Sequence, residues 1–149
     1  MSIIKNILFP TDFSEPSLAA LDVASALALA HHSGLSLLHV HEPTAFELPD
    51  GYVENMPSQL DRTYDELNRQ LLELDRRARS AGVRRVETRV LQGSIVDSIV
   101  EFSRNFDYLV LGTHGRTGLA RVVVGSVAQT VFERASCPVV MVRRGKPAE

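Results

Sequence analysis

Apolar positions along this chain fall into two kinds of block that alternate, short continuous runs and longer stretches with a helical period. Ile3 to Phe9 is a run rich in β-branched and aromatic residues that stops at Pro10, Thr11 and Asp12, as a buried strand meeting a turn would. The next stretch changes period. Leu18, Leu21, Ser25, Ala28 and Leu29 share one helical face, with Ser14 as N-cap, Glu15 and Pro16 in the first turn, and Gly34 to end the helix. Leu35 to Glu42, LSLLHVHE, predicts a second strand covered on both faces. From Pro43 to Ser58 the chain turns polar, with three prolines and a Pro-Asp-Gly turn signal, and this is the segment expected to be most flexible.

Between Gln59 and Ser80 apolar residues return at Leu60, Tyr64, Leu67, Leu71, Leu74 and Ala78, in steps of four and three that mark an amphipathic helix. The same steps suit a coiled coil, but they span fewer than three heptads without consistent opposite charges at the flanks, so core packing is preferred. Val83 to Leu91 alternates, with Val86, Thr88 and Val90 on one side and Arg85, Glu87 and Arg89 on the other, which predicts a third strand near a sheet edge. Ser94 then caps a helix, with Asp97 three residues on in a shortened capping box. Asp107 to Gly112 is a fourth strand, Ser126 to Ala135 a helix, and the run CPVVMVRR that starts at Cys137 a final strand.

Strands alternating with helices predict an α/β sandwich around a parallel sheet of five strands. In such a sheet ligands bind at the carboxyl ends of the strands, where the winding reverses, here between the first and fourth. Pro10-Thr11-Asp12 and Gly112-Thr113-His114-Gly115 both emerge at that point.

Composition narrows the setting. With 149 residues, residues 1–149 read as one domain, long enough to bury about two thirds of its unfolded surface without a metal or disulfide. A net charge of −2 and the absence of a basic cluster argue against nucleic acid as partner, and the locally basic RRARSAGVRR reads as a solvated helix end. The single Cys137 leaves no intramolecular disulfide and suits a reducing cytoplasm, with the thiol as a small core residue. No apolar run reaches the roughly 18 residues of a membrane span, and the N-terminus carries no signal-peptide pattern, so no membrane association is expected.

The segment GTHGRTGLARVVVGS, Gly112 to Ser126, holds four of the nine glycines. One explanation is a tight connection, with Gly125-Ser126 as an ordinary N-cap. The other is a loop that brings backbone amides and a helix N-terminus against an anion, with Ser126 able to reach a metal on a polyphosphate. Spacing alone does not separate them, and neither GxGxxG nor GxxxxGK[ST] occurs.

A resemblance adds to this reading. The spacing Gly112, two residues, Gly115, nine residues, Gly125, Ser126 resembles the motif of the ATP-binding branch of the universal stress protein family. The opening KNILFPTDFSEPS, LLHV at the end of the second strand and the closing SCPVVMVRR are similar to that family too, so the likeness runs along almost the whole chain. It implies a flavodoxin-like fold, strand order 3-2-1-4-5, with ATP, and Mg held through it, across the switch point. Pro10 and Val40 would line the adenine and Asp12 would accept from ribose hydroxyls. Gly112, Gly115, Gly125, Ser126 and the amide of Val127 would surround the triphosphate. Thr11, Thr113 and His114 are included as neighbours in the same loops, and Arg116 as a fork for phosphate. The likeness also implies a homodimer joined through the strand Val139 to Val142.

Other chemistry finds less footing. His39, His41 and His114 have no carboxylate placed beside them by the sequence, and histidines satisfied by neighbours are expected. No nucleophile triad or carboxylate pair can be argued, so catalysis is expected to be absent or limited to slow ATP hydrolysis, the nucleotide acting as a signal or conformational ligand in a stress response. The alternative is a dimeric interaction protein on the same scaffold without useful ATP affinity. A flavin is disfavoured by the lack of tryptophan.

Overall fold

The computed structural model describes residues 3–43, 56–113 and 125–143, with the backbone alone for residues 56–61. The elements follow as β1 (Asn6–Pro10), α1 (Glu15–His31), β2 (Gly34–His41), α2 (Met56–Ser80), β3 (Val86–Gln92), α3 (Ile95–Ser103), β4 (Tyr108–Gly112), α4 (Ser126–Arg134) and β5 (Val139–Val142). The strands form one parallel sheet in the order β3-β2-β1-β4-β5, as expected. With helices on both sides the fold is flavodoxin-like, and His114, Gly115, Arg116 and most of the segment 43–58 lie outside the described residues.

Each face of the sheet has its own core. Ile7, Phe9, Leu35, Leu37 and Val110 pack with Leu21 and Ala24 of α1 and Leu71, Leu74 and Ala78 of α2. Leu8, Leu38, Val40, Leu109 and Leu111 pack with Ile99 of α3 and Ala128 and Val131 of α4 on the other. Residues of β1, β2 and β4 therefore alternate between two buried faces, and this is why β1 and β4 read as continuous apolar runs and β2 as a mostly apolar one. Cys137 packs against the second cluster, and burial pushes its thiol pKa up, in keeping with a small core residue.

Local geometry corrects the sequence reading in four places. The buried side of α1 is Ser17, Ala20, Leu21, Ala24, Ser25 and Ala28, while Leu29 is 41% exposed and lies over Gly82. That helix ends at His32, whose φ of 53° is left-handed, and Gly34 already belongs to β2. Ser14 and Ser94 stand at the N-cap positions without capping side-chain bonds; the Ser14 hydroxyl donates to Asp12, and Asp97 accepts from Arg134 at 2.9 Å in place of closing a capping box. Finally, β3 begins at Val86: Val83 is buried, but its N–H bonds back to the Ala78 carbonyl in the turn that closes α2.

The two edges of the sheet differ. β3 is an edge strand, as its alternating charges predict, and the outward carbonyls of Arg84 and Val86 accept from the guanidinium of Arg79 at 3.2 and 2.9 Å. At the opposite edge, β5 turns Pro138 and Val142 toward β4, since their carbonyls accept from Leu109 and Thr113. The period of two then points the backbone groups of Val139 and Met141 outward. Among the described residues no helix is long and apolar enough to cross a membrane.

Candidate functional site

A cleft of about 330 Å³ opens at the carboxyl ends of β1, β2 and β4. Its position follows from topology: β1 connects to β2 on one side and β4 lies on the other, so the loops leaving β1 and β4 part over the sheet. One wall is apolar, made by Pro10, Leu38, Val40, Ile95, Ile99 and Leu111. The rest is polar, with the turn Thr11 to Ser14 and the first turn of α1 at one rim and Gly125 to Ala128 at the other.

Eight of the predicted site residues line this cleft together: Pro10, Thr11, Asp12, Val40, Gly112, Gly125, Ser126 and Val127. Thr113 does not. Its N–H and hydroxyl both donate to the Val142 carbonyl, at 2.9 and 3.2 Å, so it is buried as a tie between β4 and β5.

The turn after β1 is held by a dense set of bonds. Thr11 donates its N–H to the Leu38 carbonyl at 2.8 Å, and its hydroxyl pairs with that of Ser17 at 2.6 Å while accepting the Phe13 N–H. Asp12 is exposed, and one carboxylate oxygen, Oδ1, accepts both the N–H and the hydroxyl of Ser14, at 3.0 and 2.5 Å. The local turn bond is thus made, and Oδ2 keeps its lone pairs free of any partner among the described residues. His39 lines the cleft as well, with Nδ1 donating to the Thr11 carbonyl at 2.8 Å, which fixes its proton on that nitrogen. His39 and His41 are thus engaged by neighbours, His41 meeting Tyr64 edge-on.

Across the cleft, α4 starts at Ser126 with Gly125 as its N-cap residue and no side chain capping it. Its first-turn amides have no acceptor within the helix and carry the positive end of its dipole. Cleft and helix end together offer a flat apolar slot, a carboxylate oxygen on one side, and donors with positive potential on the other. Gly112 contributes differently from expectation: the space a β-carbon would fill is already taken by the Pro16 carbonyl. Among the described residues no group of three or more His, Cys, Asp or Glu side chains is placed to hold a metal ion.

Sequence reasoning passed over Ser14, Pro16, Ser17, Leu38, His39, Ile95, Ile99, Leu111 and Ala128 as lining residues. Leu38 was within reach, because it shares the strand face of Val40 two residues on. Ile95 and Ile99, one helical turn apart, carried only a core signal until α3 was seen to begin over the same sheet edge.

Comparison with known proteins bears on this geometry. The universal stress protein family model matches residues 4–143. A universal stress protein of Methanocaldococcus jannaschii is 33% identical over 148 residues, 97% of this chain and 85% of its own length. Among solved structures, a universal stress protein from Lactobacillus plantarum superposes with a TM-score of 0.80 at 25% identity, covering 96% of this chain and all of its own. Another, solved in complex with cAMP, gives a TM-score of 0.69 at 26% identity, covering 95% of this chain and 98% of its own.

Proposed function

Since this chain belongs to the universal stress protein family, we propose that its cleft binds an adenine nucleotide, ATP with Mg, as a bound signal in a stress response. The observation that carries the proposal is the convergence of an apolar slot, the open Oδ2 of Asp12 and the first turn of α4 at the sheet's switch point. Val40 and Pro10 suit a purine face, a carboxylate suits a ribose diol, and helix amides suit phosphate. A volume near the small end of the roughly 300–1,000 Å³ range of ligand clefts fits a nucleoside, with the phosphates lying out over Ser126. The relative solved with cAMP supports the adenine class.

In this reading Ser126 touches a metal ion only through the bound triphosphate, and Gly115, His114 and Arg116 add phosphate contacts. Hydrolysis in this reading is absent or slow, because Asp12, the one carboxylate of the described lining, is given over to the ribose hydroxyls. The protein acts in the cytoplasm as a homodimer paired through β5. Calorimetric titration of nucleotide-stripped protein with ATP and Mg²⁺ tests the proposal. Saturable binding that Gly115→Val abolishes is the expected result, and no binding up to millimolar ATP overturns it.

A second reading has one observation in its favour. Gly112 is required by its packing on Pro16 whether or not a ligand is present, so that glycine is compatible with an interaction protein lacking useful ATP affinity. The same titration separates the two.

A further inference from the structure

We infer that His39 is a positioning residue for the Asp12 carboxylate, acting through the strained turn at Phe13, and thereby sets how strongly the cleft recognises the hydroxyls of a ligand. The inference rests on the nucleotide reading above and deepens it.

Phe13 has a φ of 64°. A bulky side chain abandons the left-handed region unless its surroundings hold it there, and such outliers mark places where geometry is imposed for a purpose. His39 does the holding on both sides of Asp12. Its Nδ1 bonds the carbonyl of Thr11, the residue before, at 2.8 Å, and its ring stacks on Phe13, the residue after, with centroids 4.7 Å apart and planes 27° from parallel. Between these two anchors the Asp12 carboxylate is pinned through Oδ1 by Ser14, leaving Oδ2 without a partner among the described residues.

An imidazole is an unusual choice for this position. His39 sits on the strand face that Leu35 and Leu37 give to the apolar core, where the period of two calls for an aliphatic side chain. A leucine there would pack on Phe13 but leave the Thr11 carbonyl without its donor. Asparagine, whose amide nitrogen falls close to the place of Nδ1, would keep the donor and lose most of the stack.

The test compares ATP with 2′,3′-dideoxy-ATP by calorimetry for the wild type, His39→Leu, His39→Asn and Asp12→Ala. The wild type is expected to favour ATP by about tenfold, the worth of hydrogen bonds to a charged acceptor. His39→Leu should cut that preference to about twofold while moving dideoxy-ATP affinity by less than about twofold, and His39→Asn should restore most of it. Adding His39→Leu to Asp12→Ala should cost no further preference, because both act through one carboxylate. Full preference in His39→Leu overturns the inference. So does a wild type that binds both nucleotides equally, an outcome that leaves the nucleotide reading standing.

If the wild type binds neither, the nucleotide reading has failed and a ligand-free measurement decides the positioning claim. Amide hydrogen exchange at Phe13 and Ser14, whose N–H groups bond Thr11 and Asp12, should speed by about tenfold in His39→Leu while Leu37 is unaffected. Equal exchange in the two proteins overturns it.

Discussion

Gly112 and Pro16 touch backbone to backbone: a methyl group on the Gly112 α-carbon would stand 2.6 Å from the Pro16 carbonyl oxygen. The end of β4 and the first turn of α1 are seated on each other with no space for a side chain. Gly112, Pro16, Thr11, Asp12 and Ser17 all line the cleft, so this contact forms part of its wall.

Gly112→Ala is therefore expected to be a stability variant. Overpacking at a close backbone contact costs about 1–3 kcal/mol, and urea unfolding should show a lower midpoint with an unchanged slope. A variant as stable as the wild type would mean that α1 can shift away from β4 freely.

Ser126→Asp should separate binding from folding. A carboxylate in the first turn of α4 is favourable for the helix by about 0.3–1 kcal/mol, yet it places negative charge where phosphate is proposed to sit. The expected outcome is a melting temperature equal to or above that of the wild type, with ATP affinity down at least about tenfold. Unchanged affinity would move the phosphates away from this helix.

The carboxylate of Asp107 accepts the N–H groups of Asn6 and Lys5 through one oxygen, at 2.9 and 2.8 Å, and these bonds hold its pKa below the ordinary 3.8. A lowered native pKa means that the unfolded chain takes up the proton first. The stabilisation is thus complete above about pH 4 and is lost as pH falls through the native value. Asp107→Asn should be less stable than the wild type at neutral pH, and the gap should narrow below about pH 4 in urea unfolding. A gap independent of pH would assign the loss to packing.

Met141→Pro probes the proposed dimer. Its N–H points outward from β5, so proline there leaves the bonds from Leu109 and Thr113 intact while removing a donor from the free edge. Sedimentation should show the wild type as a dimer and the variant as a monomer. A variant that stays dimeric would place the interface elsewhere.

How far the sequence could be read depended on what each residue's role rested on. The strands and helices were legible because buried parallel strands and amphipathic helices print different periods, whereas the strand order was carried by the resemblance to the universal stress protein family and not by period. Pro10, Asp12, Val40 and Gly125 were legible as residues of one cleft because strand ends and a helix start meet at the switch point of such a sheet. Thr113 was misjudged because adjacency in sequence to Gly112 says nothing of direction, and at the end of β4 the next residue turns toward β5. His39 and Ile95 stayed hidden for a related reason. Their part in the cleft depends on the turn after β1 and the start of α3 folding over the same edge, a long-range fact that local pattern does not encode. Leu29 and Asp97 show that facing and capping rules yield when a side chain finds a partner elsewhere.

The guanidinium of Arg79 closes off the outward carbonyls of Arg84 and Val86 at the start of β3, whereas the outward backbone groups of Val139 and Met141 in β5 have no partner among the described residues. A sheet guarded at the start of one margin and not at the other is more readily extended at the second. A second copy added across β5 about a two-fold axis would use up both β5 edges and leave only the partly guarded β3 edges outside. In the proposed dimer, one arginine at the end of α2 would thus obstruct further pairing at the start of each outer edge, working against the open-ended addition of copies that makes a fibre.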